Sequence, residues 1–275
     1  MSANSFPLLQ ELTGFAFPVY TSFGTHARAE IIATRTQQAQ QYLGAIFGFE
    51  PQLHLLVLAP QDWEGYSTFP TYGMPHCPNR RTLVVAGENN QFWDSMTPPL
   101  DQLPPLIVAT LRATYGLPNG EIELSPFFDL LAVHELAHLF HQQAGLRFPR
   151  IWLMELFCNL ALHAYVANVE AEQLAALEIF PQAVADYGYA HLEHHRLGDL
   201  ERLYPKIAAH NFHWYQAMWH VAAQEIYDAG GVEVLMRLWK TFLRTPYIHS
   251  NDKLAQLLSE QVHPQVARVL TEWPV

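Results

Sequence analysis

The chain has 275 residues, a mass of 31.4 kDa, half of its residues hydrophobic and 13% aromatic, enough to bury a sizeable core as one large domain or two joined subdomains. A formal charge of −11, from 26 acidic against 15 basic residues with no basic run, excludes a nucleic-acid surface and a surface for anionic membranes. Two cysteines, Cys77 and Cys158, make neither a disulfide framework nor a metal knuckle, and no apolar run reaches membrane-spanning length. With a start, "MSANSFPLLQELTG", that lacks the charged and apolar regions of a signal peptide, these features lead us to expect a cytoplasmic protein.

In chain order, "TRTQQAQQYLGAIFG" predicts a helix with Tyr42, Leu43, Ile46 and Phe47 on one side. "LHLLVLAP" predicts a short strand ended by proline, and "TLVVA" a second strand after the turn-rich "YGMPHCPNRR". The proline-rich "DSMTPPLDQLPPL" reads as a connector. From about residue 125 onward the pattern is helical. Ser125 and Pro126 open a helix that Gly145 stops, and Pro149 precedes a second, "RIWLMELFCNLALHAYVANVEAEQLAAL". Two more, "HWYQAMWHVAAQEIYDAGG" and "GVEVLMRLWKTFLR", part at Gly230 and Gly231, and "NDKLAQLLSEQV" makes a last one. The expected organisation is a single domain over residues 1–275, with an α/β part at 1–120 and a helical part at 121–275 that holds the motifs described next.

His134, Glu135 and His138 stand in an otherwise apolar helix, where burying titratable groups is costly without a partner. Histidines four apart share a helix face and reach one ion. This is the HExxH pattern, in which two imidazoles bind zinc and the glutamate serves a bound water as base. A catalytic zinc needs a third protein ligand. Ala144 stands where the extended HExxHxxGxxH motif would put a histidine, so the next helix is the place to look. From His138 to the helix end is about six residues, and from Arg150 to Glu155 about five, each about 8–9 Å of rise, so an antiparallel pair would bring Glu155 level with His138. Asn159 follows one turn later on the same face, placed for its side-chain carbonyl to hold the other ring nitrogen of His134.

"HELAH" with "ELFCN" resembles the gluzincin metallopeptidases, the thermolysin-like and aminopeptidase-like group, whose HExxH is followed on the next helix by ExxxD or a variant; here Asn159 takes the place of the aspartate. The resemblance implies an α+β, thermolysin-like zincin fold: a small mixed N-terminal sheet with a helix, packed on a mainly helical C-terminal part with a cleft between. It implies one Zn2+ per chain, held by His134, His138 and Glu155, Glu135 as general base, and a peptide or peptide-like substrate. It also implies an oxyanion donor from a later helix, for which Tyr215 is the candidate, with His213 and His220 as competitors. A sheet edge would pair with substrate, with "RTLVVAG" as the candidate strand and Glu88 beside it. His141 reads as a rim residue, His191, His194 and His195 as a solvated face, and Cys158 as a packed small residue.

Two other classes remain. Glu135 with His138 and Glu260 with His263 both read as ExxH, and with Glu155 and Glu225 they would complete a di-iron helical bundle. The third possibility is a zincin-fold binding module without activity.

Overall fold

A computed structural model describes residues 6–244 and 248–274 of the chain. In chain order its elements are β1 (Gln10–Leu12), β2 (Val19–Thr21), α1 (His26–Phe47), β3 (His54–Leu58), α2 (Pro60–Tyr66), β4 (His76–Asn79), β5 (Thr82–Ala86) and α3 (Gln91–Ser95). There follow α4 (Pro105–Tyr115), α5 (Ser125–Phe128), α6 (Leu131–Ala144), α7 (Ile151–Val169), α8 (Leu174–Tyr187), α9 (Leu197–Leu203), α10 (Ala209–Arg244), α11 (Asn251–Leu257) and α12 (Pro264–Thr271). The protein is thus mixed α and β, with a small mixed sheet and many helices. Among the described residues no helix is long and apolar enough to cross a membrane.

The chain forms two compact units: Met1–Ser95 with Glu123–Ala144, and Met96–Ile122 with Gly145–Val275. The first holds a five-stranded sheet in the order β1-β2-β3-β5-β4. Strands β2, β3 and β5 run parallel, and β1 and β4 close the edges antiparallel. Leu55 to Leu58 and Leu83 to Ala86 are buried throughout, as a strand covered on both faces requires. "RTLVVAG" is therefore interior, and the edge is β4, "HCPN", whose Pro78 an edge strand tolerates. This corrects the expected edge.

Helix α1 begins well before the predicted segment. It buries Ala29, Ile32, Ala33, Thr36, Ala39, Gln40, Leu43, Gly44 and Phe47, whereas Tyr42 and Ile46 are half-buried. A face of small residues lets the helix lie close to its neighbours but leaves a weak hydrophobic signal. Gly48, at φ 66°, ends it with its N–H on the Gly44 carbonyl, a left-handed cap that favours glycine.

The segment predicted as one helix from Ser125 to Gly145 is two, α5 and α6, and α6 packs with the sheet unit. Polar links fix α6 there. At its start, Arg28 of α1 donates from Nε (3.0 Å) and NH2 (2.6 Å) to Asp129 Oδ1, lies over the Trp93 ring, and donates from NH1 to Asn89. At its end, Gln143 donates to the Gln52 and Arg80 carbonyls and accepts from the Gln52 N–H.

The second unit is helical around α7 and α10. Helix α7 buries nearly every residue from Trp152 to Val166, which is why its sequence is apolar on all sides. Helix α10 is interrupted at Gly231, which adopts φ 60° and ψ −158°, the predicted breakpoint. Pro264 opens α12, and His263 caps it by accepting the Gln265 N–H on Nδ1.

Candidate metal centre

On α6 the side chains of His134 and His138 meet. Their Nε2 atoms are 3.1 Å apart, with ring centroids 4.8 Å apart. Two nitrogens each about 2.0–2.1 Å from one zinc at a tetrahedral angle lie about 3.3 Å from each other, so this spacing suits a shared cation. His134 is 5% exposed and His138 8%, deep enough that their ring nitrogens must be satisfied within the protein or by a bound ion. Glu135, on the adjoining side of the helix, is half-buried.

The row continues. His138 Nδ1 lies 3.1 Å from His141 Nε2, and His141 is itself buried at 5% exposure. It is no rim residue, and this corrects the sequence reading. The signal was present: His134, His138 and His141 are spaced four and three, which puts all three on one helical stripe.

Cys77 of β4 donates its thiol hydrogen to the Glu135 backbone carbonyl at 3.4 Å. Burial pushes its pKa well up, and the adjacent Glu135 carboxylate pushes it the same way. The thiol therefore stays protonated, a donor beside the glutamate rather than a thiolate. Nothing in "HCPN" marks it for this position. The neighbouring His76 is held neutral by burial and fixes the preceding loop, with Nδ1 on the Met74 carbonyl (2.9 Å) and Nε2 facing the Thr68 N–H (3.2 Å).

On α7, Glu155 and Asn159 are both buried and share one partner that the sequence did not suggest. Gln216 of α10 donates its amide to Glu155 Oε2 at 2.7 Å, while Asn159 donates to Gln216 Oε1 at 3.0 Å. An ionised glutamate only accepts, so Gln216 must turn its NH2 toward it and its oxygen toward Asn159. Cys158 sits between them, buried and free of any disulfide, as is Cys77 at its half-buried position.

The oxyanion candidate is placed differently from the expectation. Tyr215 is fully buried in an aromatic cage, stacked on Trp219 and Trp273, and its hydroxyl donates to the Arg196 carbonyl at 2.7 Å. Burial raises its pKa further. A phenol has one proton to donate, so the oxyanion role is not carried forward. His213 is half-buried, its pKa lowered to about 4 by desolvation, and His220 is buried. Glu88 is exposed, and its backbone N–H donates to the Tyr72 hydroxyl at 3.0 Å. Of the extra carboxylates that a di-iron site needs, Glu225 and Glu260 are exposed and accept from Gln265 and Gln256, while His263 serves as a helix cap. Of the second histidine group, His191 is exposed and His194 and His195 half-buried, with the His195 ring stacked on Tyr189.

No protein family, no curated protein and no solved structure matches the chain.

Proposed function

We propose that the protein is a zinc-dependent hydrolase, most simply a peptidase of gluzincin type, with one Zn2+ per chain held by His134, His138 and a donor from α7. The observation that carries this reading is the 3.1 Å approach of the two Nε2 atoms inside an apolar helix, with Glu135 alongside. Glu155 is the preferred third ligand, because Gln216 already steadies one of its oxygens. The thiol of Cys158 is the competing donor, since two imidazoles with a thiolate are also a set that zinc accepts. In this reading the sheet-bearing and helical units are the two parts of a thermolysin-like zincin, acting in the cytoplasm.

Bound zinc would supply Lewis acidity, lowering the pKa of water and polarising the scissile carbonyl. The chain's own residues supply the rest. Glu135 takes the proton of the attacking water and passes it to the leaving amine. Cys77 limits where its carboxylate can go by donating to the same residue. Asn159 commits its NH2 to Gln216, and in this reading its carbonyl would hold His134. Strand β4, the sheet edge whose Cys77 bonds Glu135 on α6, is the strand an extended peptide would join.

The test is metal analysis of the purified chain with a peptide-library assay, in wild type and Glu135→Gln. One zinc per chain is expected in both, with turnover about 10²–10⁴-fold lower in the variant. Equal turnover would end the catalytic assignment. Two irons per chain would favour the di-iron reading, and zinc without hydrolysis of any peptide the binding module.

A further inference from the structure

We infer that His141 is a positioning residue for the metal centre: its Nε2 accepts the Nδ1 proton of His138 and so turns the Nε2 lone pair of His138 toward the cation. The inference rests on the zinc reading above. A neutral imidazole has one N–H and one lone pair, and a ring that ligates through Nε2 must carry its proton on Nδ1. That proton needs an acceptor, which fixes the tautomer and the ring plane.

In this protein the atom facing His138 Nδ1 at 3.1 Å is His141 Nε2, while the opposite nitrogen of His138 faces His134 Nε2 at 3.1 Å. The two contacts lie on opposite sides of one ring, so either tautomer can meet both, and ligation through Nε2 selects the one protonated on Nδ1. With the proton on Nδ1, His138 donates to His141 and offers its lone pair on the side of His134. His141 must then be protonated on Nδ1 and accept on Nε2.

An imidazole in this role differs from the carboxylate that often holds a ligating histidine. It accepts the same proton without placing a negative charge behind the metal. With His134, His138 and His141 on one stripe of one helix, orientation of the second ligand is written into the same two turns that carry the first.

The experiment uses the full chain as wild type, His141→Leu and His141→Gln. Zinc affinity is measured by competition with a chromophoric chelator. The tautomer of His138 is read from long-range 1H–15N spectra of the zinc-loaded protein. Leucine fills the space without an acceptor, so the zinc Kd should rise about 10–100-fold, with the melting profile of the metal-free protein retained. Glutamine offers a side-chain carbonyl and should restore wild-type affinity. The wild-type spectrum should show His138 protonated on Nδ1. Wild-type affinity in His141→Leu, or a wild-type His138 protonated on Nε2, would overturn the inference even where zinc binds. Complete loss of zinc in both variants would also overturn it, by making His141 a ligand. A wild-type chain that takes no zinc would remove the zinc reading and this inference together, and if the leucine variant does not fold, the wild-type spectrum and the glutamine variant decide.

Discussion

On α6 three imidazoles lie in a row with 3.1 Å between successive ring nitrogens, whereas His163 and His213 of the helical unit are packed against the rings of Tyr227 and Phe180. Both sets are at least half-buried, yet what surrounds them differs. For these two histidines of the helical unit burial lowers the pKa to about 4, which keeps the ring neutral beside its aromatic neighbour. On α6 the rings face one another nitrogen to nitrogen, a spacing that a cation between His134 and His138 could share. The contrast teaches that burial alone does not mark a histidine as functional. What its ring nitrogens meet does.

The largest effect that could break this contrast concerns the donor that completes the α6 pair. Glu155→Ala should raise the zinc Kd by more than the 10–100-fold expected for loss of an outer partner, while Cys158→Ser should leave it near wild type. The reverse pattern, read by the same chelator competition, would transfer the ligand role to the thiolate and leave Glu155 as a partner of Gln216. Loss in neither variant would take the third ligand away from α7.

A smaller effect sharpens the other side of the contrast. The unfolded chain protonates His163 and His213 near pH 6.5, but the folded chain resists until about pH 4. Between those values the unfolded state binds more protons, so their contribution to stability is complete above about pH 6.5 and is lost as the pH falls toward 4. Each histidine steepens the loss by up to about 1.4 kcal/mol per pH unit within that window. Urea midpoints at pH 7 and pH 5 should show the fall, and His163→Gln should flatten it. An unchanged slope in that variant would mean that His163 titrates normally in the fold.

How much of this was legible in the sequence depended on whether the signal was local. Strands β3 and β5 were visible because strands covered on both faces are written in Leu, Val and Ala without interruption. The break at Gly231 was visible because glycine fits φ 60° so readily. His134, Glu135 and His138 stood out because helical spacing alone brings them together. Strand β4 was missed, since four residues with a proline at an edge carry little pattern, and with it went the neighbourhood of Cys77 and Glu135. Gln216 was equally hidden. Its position depends on where α10 meets α7, and no spacing within either helix encodes that. His141 was visible but misjudged, because a third polar residue at a helix end looks like surface until its burial is known.

The smallest expected effect belongs to Tyr215. If its hydroxyl serves only the Arg196 carbonyl, Tyr215→Phe removes one buried hydrogen bond and keeps the ring packed against Trp219 and Trp273. The loss of stability should be about 1–2 kcal/mol, the scale for leaving one buried acceptor without its donor. Turnover on whichever peptide the wild type cleaves should not change. An oxyanion donor behaves in the opposite way, since removing one lowers kcat by about 10²–10³-fold without unfolding the protein. Thermal melting and kcat measured on the same variant therefore separate the two roles. A stable, slow Tyr215→Phe enzyme would return the tyrosine to the catalytic site, and it would require the Arg196 bond to exchange during turnover.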